Sequence, residues 1–274
     1  MPELPEVETT RRGFATVVEG RRLVRVQARR PDLRFPLPPE FAGRLEDQKV
    51  IRLDRRAKYI LVRLETELTW LIHLGMSGRI TVGHGPLPAL GTHDHVTAET
   101  DDGGYMVYQD ARRFGFMDLF RTADEATHPR LAGLGMEPLT DLTPKRLAAT
   151  LAGRATSIKA ALLDQRRIAG LGNIYVSEAL FRAKVRPDRP AGEVKPAEIR
   201  RLAKAIPEVL QEALAAGGSS LRDYRQPSGE LGYFKASWAV YGREGEDCLR
   251  CGGGPVARLA QSGRSSFYCP TCQV

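Results

Sequence analysis

Between residues 21 and 120 the chain is built of short apolar–polar alternations broken by Gly, Pro and Asp. "RRLVRVQARR", "KVIRLD", "KYILVRLE", "ELTWLIHLG", "RITVG", "GYMVYQD" and "FGFMDLF" each read as a strand. So many short strands in a row predict an antiparallel β-sandwich or barrel. Ahead of them, a short helix is expected near Glu6 to Val18, with Pro5 tolerated in its first turn.

The period changes after about Pro138. "TPKRLAATLAG" opens with Thr143 as an N-cap and Pro144 at the first helical position. "SIKAALLDQ" and "NIYVSEALFRAKV" continue as helices. In "KPAEIRRLAKAIPEVLQEALAAGG", residues Ile199, Leu202, Ile206, Val209, Ala213 and Leu214 fall at helical spacing despite Pro207. From about Gly218 to Arg243 the chain is rich in Gly, Ser and Tyr with little period, and an irregular loop is expected. The pattern divides the chain into an N-terminal β domain (1–135), a helical domain (136–242) and a small cysteine module (243–274). This is an α+β multidomain layout.

Charge narrows the partner. The chain has 274 residues and a formal net charge of +8, which points to a polyanion. Residues 152–187 hold seven basic side chains against two acidic ones, and the last 27 residues hold three arginines and no acid. A membrane is the rival surface, but no apolar run approaches the roughly 20 residues of a spanning helix. The N-terminus lacks the layout of a signal peptide, so a cytoplasmic, reducing location is expected.

All four cysteines lie at the end, as Cys248-x2-Cys251 and Cys269-x2-Cys272. Two such pairs across a Gly-rich hairpin match a four-thiolate zinc site, with two disulfides as the alternative. No His or carboxylate stands at ligand spacing, so the site reads as one structural Zn2+. The metal would supply stability that so small a module lacks. Arg264, between the pairs, would be presented on the hairpin.

"IAGLGNIYVSEALF" places Gly170, Gly172 and Asn173 between two helices. Asn173 is a plausible N-cap for a helix starting at Ile174. The amides of that helix start could hold a phosphate, which Lys159 could also reach. An ordinary helix-turn-helix corner fits the same stretch.

"PELPEVET" at the start, "RRAKY" around Lys58, "HLGMSG" at 73–78, "DARRFG" at 110–115, "GLGNIY" at 170–175 and the terminal CxxC…CxxCQ occur in one order along the whole chain. Together they resemble the formamidopyrimidine-DNA glycosylase family of bacterial repair enzymes. The related endonuclease VIII branch, acting on oxidised pyrimidines, typically has Gly where this chain has Leu4. The resemblance implies an N-terminal β-sandwich with a leading helix, a helix–two-turns–helix domain and a zinc finger. It also implies duplex DNA bound in the cleft between the two halves. The expected partner is duplex DNA carrying oxidised bases or abasic sites, met by a monomer at the bacterial nucleoid.

The family match then gives roles. Pro2, once Met1 is removed, is the amine nucleophile, and Glu3 is the acid/base beside it. Glu6 and Glu178 are supporting carboxylates. Lys58 and Arg264 grip phosphates near the lesion and assist elimination. Asn173, Lys159, Arg154, His73 and His93 are DNA contacts. Met76, Arg112 and Phe114 fill the space left by the flipped nucleotide, with Arg112 reading the opposite base. The stretch from Leu221 to Tyr233 would cover the flipped base. Read without the family, Pro2 and Glu3 suit a helix start, and Met76 and Phe114 suit a core.

The chain departs from the family pattern in three places. Ala111 replaces the usual Pro, Gly263 stands where some members have Gln, and "CGGGPV" is about one residue longer than the common spacing. The implied activity is excision of oxidised purines, with strand cleavage through an N-terminal Schiff base. The same chemistry on oxidised pyrimidines is one alternative. A non-catalytic zinc-finger binder of DNA damage is another, although such a binder needs neither Pro2 nor Glu3.

Overall fold

The computed structural model describes residues 2–219, 227, 234–261 and 263–274. Two compact units form: Met1–Ala132 with Ala216–Lys235, and Gly133–Ala215 with Ala236–Val274. The cysteine module therefore shares a unit with the helices, and the segment after Ala215 joins the N-terminal unit.

In the first unit, helix α1 spans Leu4–Val18, two residues longer at its start than expected. A reciprocal capping box between Glu3 and Glu6 extends it. Strands β1 (Leu23–Ala28), β5 (Arg79–His84), β6 (Asp94–Thr100) and β7 (Gly104–Gln109) form one antiparallel sheet in the order β1-β6-β7-β5. Strands β2 (Val50–Arg56), β3 (Tyr59–Leu64), β4 (Leu68–His73) and β8 (Phe116–Arg121) form the other, in the order β2-β3-β4-β8. A short helix, α2 (Phe41–Leu45), was not expected, since five residues are too few to show a period.

One core joins these parts. Phe14 of α1, Val26 of β1, Leu53 of β2, Trp70 of β4, Val96 of β6 and Met106 of β7 belong to a single buried cluster. Phe14 and Phe41 meet the Trp70 ring edge-on, with centroids 6.1 and 6.0 Å away. The helix is thus bound to the sandwich through its buried face.

In the second unit, α3 (Pro144–Leu151), α4 (Ile158–Leu163), α5 (Asn173–Ala183) and α6 (Pro196–Ala215) follow the helical readings closely. Thr143 caps α3, its side chain accepting from the Arg146 N–H. The helix α6 runs through Pro207 and buries Ile199, Leu202, Ile206, Val209, Leu210 and Ala213. The cysteine module holds one hairpin, β9 (Ala257–Gln261) and β10 (Arg264–Tyr268). Phe181 of α5 packs in one cluster with Val240, Cys248, Val256 and Cys269. Gln273, the last motif residue, accepts from the Cys269 N–H and donates to the Val185 carbonyl, each bond within 2.9 Å. These contacts make the module part of the helical unit.

Phe14→Ala should destabilise the protein by about 3–5 kcal/mol, the usual cost of a buried Phe cavity. Urea unfolding measures this. A loss below about 1 kcal/mol would mean that α1 is not held by this packing.

Candidate active site and nucleic-acid contacts

The chain start is buried. Pro2 is buried, Glu3 is 3 % exposed and Glu6 is 2 % exposed. Glu6 Oε2 accepts from the Glu3 N–H at 2.8 Å, and Glu6 Oε1 accepts from the Ser219 N–H at 2.8 Å. One carboxylate therefore fixes both the backbone of Glu3 and the segment that follows α6 in the chain. Further along α1, a Cβ added at Gly13 would fall 2.6 Å from Pro227, so helix and segment touch there too. The expected covering stretch, Leu221 to Tyr233, lies outside the described residues except for Pro227.

Lys58 sits in the tight β2–β3 turn, where Ala57 adopts φ +52°, and is 7 % exposed. Close to it, the strand register sets Tyr59, His73 and Phe116 side by side across β3, β4 and β8. The His73 ring lies 5.0 Å from Tyr59 and 5.1 Å from Phe116, stacked on the latter. Burial, with the charges of Lys58, Arg34 and Arg130, pushes the His73 ring down to about 3. Its Nδ1 accepts from the Gly75 N–H at 3.1 Å, which leaves the proton on Nε2. His73 is thus a neutral donor rather than a cation. His93 is exposed.

Met76, Arg112 and Phe114 lie on two loops of the first unit. Core packing would bury Met76 and Phe114, but they are 37 and 42 % exposed. The Arg112 guanidinium lies 4.8 Å over the Phe114 ring. The loops touch backbone to backbone: Gly75 has φ +63°, and a Cβ there would fall 2.2 Å from the Phe114 carbonyl carbon. Ala111, in place of the usual Pro, leaves this arrangement standing.

In the second unit, Asn173 does not act as the N-cap. It is the first residue of α5, and Gly172 holds the cap position. Its Nδ2 donates instead to the Ser265 carbonyl at 2.9 Å, while its buried Oδ1 has no partner among the described residues. Lys159 also departs from expectation. It is 1 % exposed, and its Nζ donates to the Ser265 carbonyl and to Ser266 Oγ at 2.8 and 2.7 Å. A lysine so buried ties α4 to the hairpin rather than standing out toward a phosphate. Glu178 is likewise committed, accepting the backbone N–H groups of Ala239, Val240 and Tyr241 within 3.0 Å.

Arg264 is exposed at the start of β10. Gly263 before it takes φ +73°, a conformation that glycine adopts without strain. Arg264 lines a cavity of about 260 Å³ with Lys159, Asp164 and Gln261. Arg154, half-buried, lines a separate cavity of about 500 Å³ with Arg146, Arg166 and Arg167. Sequence reasoning passed over Ser77, Tyr108, Asp110 and Ser219, which support the site without touching its exposed face. Two of them stood inside quoted motifs, Ser77 in "HLGMSG" and Asp110 in "DARRFG".

The sulfurs of Cys248, Cys251, Cys269 and Cys272 all lie within 4.8 Å of one another. Two of the separations are 3.8 and 3.7 Å. A tetrahedral zinc with Zn–S near 2.3 Å requires about 3.8 Å between sulfurs, so the four thiolates fit that ion. The distances also rule against disulfides, whose sulfurs stand about 2.05 Å apart.

A β-sandwich opening on a buried Pro–Glu, joined to a helical unit with a four-cysteine finger, is an architecture with known counterparts. The formamidopyrimidine-DNA glycosylase N-terminal domain matches residues 1–117, and the H2TH domain of that glycosylase matches 134–225. The zinc finger found in FPG and IleRS matches 245–274. The chain is 56 % identical over 289 residues to a formamidopyrimidine-DNA glycosylase of Rhodospirillum centenum, and 55 % identical over 282 to one of Ruegeria pomeroyi, covering all of each. Among solved structures, the MutM (FPG) protein of Thermus thermophilus aligns at TM-score 0.87 and 42 % identity, covering 99 % of this chain and 98 % of that one. A Lactococcus lactis Fpg in complex with DNA containing an abasic site aligns at TM-score 0.90 and 32 % identity, covering 99 % of both chains. The chain belongs to the formamidopyrimidine-DNA glycosylase family, and its finger holds one structural zinc.

Two outcomes follow from this geometry. The His73 ring resonances should not titrate between about pH 5 and pH 8. Its folded pKa lies below the unfolded value of about 6.5, so stability should fall as pH drops from there toward 3. An NMR midpoint near 6.5 would contradict the buried ring. Second, mass spectrometry should find one zinc per chain. Its chelation should abolish tight DNA binding, because the hairpin presenting Arg264 loses its support; a chelated protein of unchanged affinity would contradict this.

Proposed function

We propose that Pro2 is the nucleophile and Glu3 the acid/base of a bifunctional DNA glycosylase and abasic-site lyase acting on oxidised purines in duplex DNA. The observation that carries the assignment is a buried carboxylate next in sequence to a proline whose nitrogen becomes a secondary amine when Met1 is removed. An α-amino group titrates near pH 8, so a useful fraction is unprotonated at neutral pH. Attack of that nitrogen on the deoxyribose C1′ breaks the bond to the damaged base. Glu3 supplies a proton to open the sugar ring, and the product is a cationic Schiff base. The cation acidifies the C2′ hydrogen. Its loss expels the 3′-phosphate, and a second elimination expels the 5′-phosphate.

The nucleotide must leave the helix before its C1′ can be reached. Exposed Met76 and Phe114 fit an apolar wedge that holds the gap open, and Arg112 can hydrogen-bond the base left behind. Lys58, Arg264 and Asn173 are assigned to phosphates, and His73 enters as a neutral Nε2–H donor. His93 and Arg154 are outer contacts. Lys159 and Glu178 act indirectly, by fixing the hairpin and the segment at 239–241. Among the described residues no helix is long and apolar enough to cross a membrane. A substrate of duplex DNA supports a location with the chromosome, at the nucleoid.

Borohydride should trap a covalent adduct between the protein and duplex DNA containing 8-oxoguanine opposite cytosine. Retention of Met1 should abolish the adduct, and Glu3→Gln should slow base excision by about 10²–10⁴-fold, the usual range for a general acid. DNA that binds without ever trapping would overturn the assignment. Faster cleavage of thymine glycol than of 8-oxoguanine would move the chain to pyrimidine lesions.

A further inference from the structure

Asp110 is fully buried, yet no salt bridge among the described residues includes it. Its carboxylate is held by three donors. Ser77 Oγ–H donates to Oδ1 at 2.5 Å. The Gly115 N–H and the Tyr108 hydroxyl donate to Oδ2 at 2.8 and 3.2 Å. Ser77 Oγ in turn accepts from the Arg112 N–H at 3.1 Å. The backbone of Asp110 is fixed as well, since its carbonyl pairs with His95 Nε2 at 2.9 Å and its N–H donates to the His93 carbonyl.

The three residues assigned to the wedge all sit within one position of this network. Met76 precedes Ser77. Arg112 gives its own N–H to Ser77. Phe114 precedes Gly115. Two glycines let the parts close: a Cβ on Gly115 would fall 1.9 Å from the Tyr108 hydroxyl oxygen, and one on Gly78 would fall 2.2 Å from the Leu74 carbonyl oxygen. Burial and the Asp110 charge raise the Tyr108 hydroxyl well above its ordinary value, so it stays protonated and able to donate. All these groups belong to the N-terminal unit and stand apart from Pro2 and Glu3 in sequence.

We propose that Asp110 is a positioning residue for duplex opening, fixing Met76, Arg112 and Phe114 as one rigid wedge through Ser77 and Gly115. This rests on the void-filling role given to those three residues. A wedge must resist the stacking energy of the base pairs it parts, and exposed apolar side chains on slack loops would fold away instead. A buried carboxylate shared between two loops gives the stiffness, because each donor would be left unpaired in the interior if the loops parted. The role concerns entry into the duplex and not the Schiff-base chemistry. Its signature is therefore a ratio of two activities: excision of 8-oxoguanine from duplex DNA, and cleavage of a preformed abasic site in a single strand, where no base pair has to be parted.

Asp110→Asn keeps the shape but presents an N–H₂ to one set of donors. It should lower duplex excision by about tenfold or more while single-strand cleavage stays within about twofold, since small misplacements can cost up to about 10²-fold. Ser77→Ala, a milder change that removes the link to Arg112, should shift the ratio the same way by a smaller factor. It decides the question if Asp110→Asn loses both activities through misfolding. A 2-aminopurine opposite the lesion should brighten less with either variant than with the parent protein, because the gap is not held open. Met76→Ala and Phe114→Ala are the controls. If they leave the ratio unchanged, the void-filling reading fails. If they lower it while Asp110→Asn and Ser77→Ala do not, the role of Asp110 is overturned and the wedge stands.

Discussion

A chain end frays unless something buries it, and here the chain end carries the residues proposed for the chemistry. A nucleophilic amine works only if it is held against the carbon it attacks, since misplacement by an ångström can cost about 10²-fold in rate. The structure meets that constraint with α1. Leu4, Val7, Phe14, Val17 and Val18 bury one face of the helix in the sandwich. The other requirement is polar. Glu6 Oε2 takes the Glu3 N–H at 2.8 Å, one of the amides that a helix start leaves open. Its second oxygen takes the Ser219 N–H at 2.8 Å, so the segment after α6 is pinned to the same carboxylate.

The same device recurs. Glu6, Asp110 and Glu178 are each at most 2 % exposed, and each is satisfied through backbone N–H or hydroxyl donors. A buried carboxylate costs several kcal/mol in desolvation unless its lone pairs are filled. Once filled by backbone amides, it fixes the path of the chain on both sides. A surface ion pair between flexible side chains contributes about 0–1 kcal/mol and fixes little. The distinction explains why three buried acids can fasten the interior where ion pairs on the surface would not.

What could be read from the sequence was what neighbours in the chain decide. The cap at Thr143 lies three residues from its partner. The apolar face of α6 repeats every three or four positions, and each CxxC turn spans four residues. What could not be read was a partner far away. Asn173 looked like an N-cap because its type and place suit one, yet its amide is drawn to Ser265, 92 residues on. Lys159 looked like a phosphate ligand because it is basic, yet it bonds Ser266, 107 residues on. His73 was matched only as a DNA contact. The strand register that stacks it on Phe116 and buries it neutral has no local signature. The exposure of Met76 and Phe114 inverted the reading that residue type alone favours.

These long bonds also change what the finger is. Viewed as a separate module, 32 residues with one metal would need the zinc for nearly all of their stability. In the structure, Arg250 donates to the Phe181 carbonyl at 2.8 Å and stacks on its ring, while Gln273 reaches the Val185 carbonyl at 2.8 Å. Lys159 and Asn173 both end on Ser265, one residue from Arg264. The hairpin is therefore aimed from two sides, by the metal at its base and by α4 and α5 along its edge. The phosphate contact proposed for Arg264 would depend on that aim as much as on its charge. The buried Lys159, with its two bonds to Ser265 and Ser266, holds the backbone from which Arg264 projects.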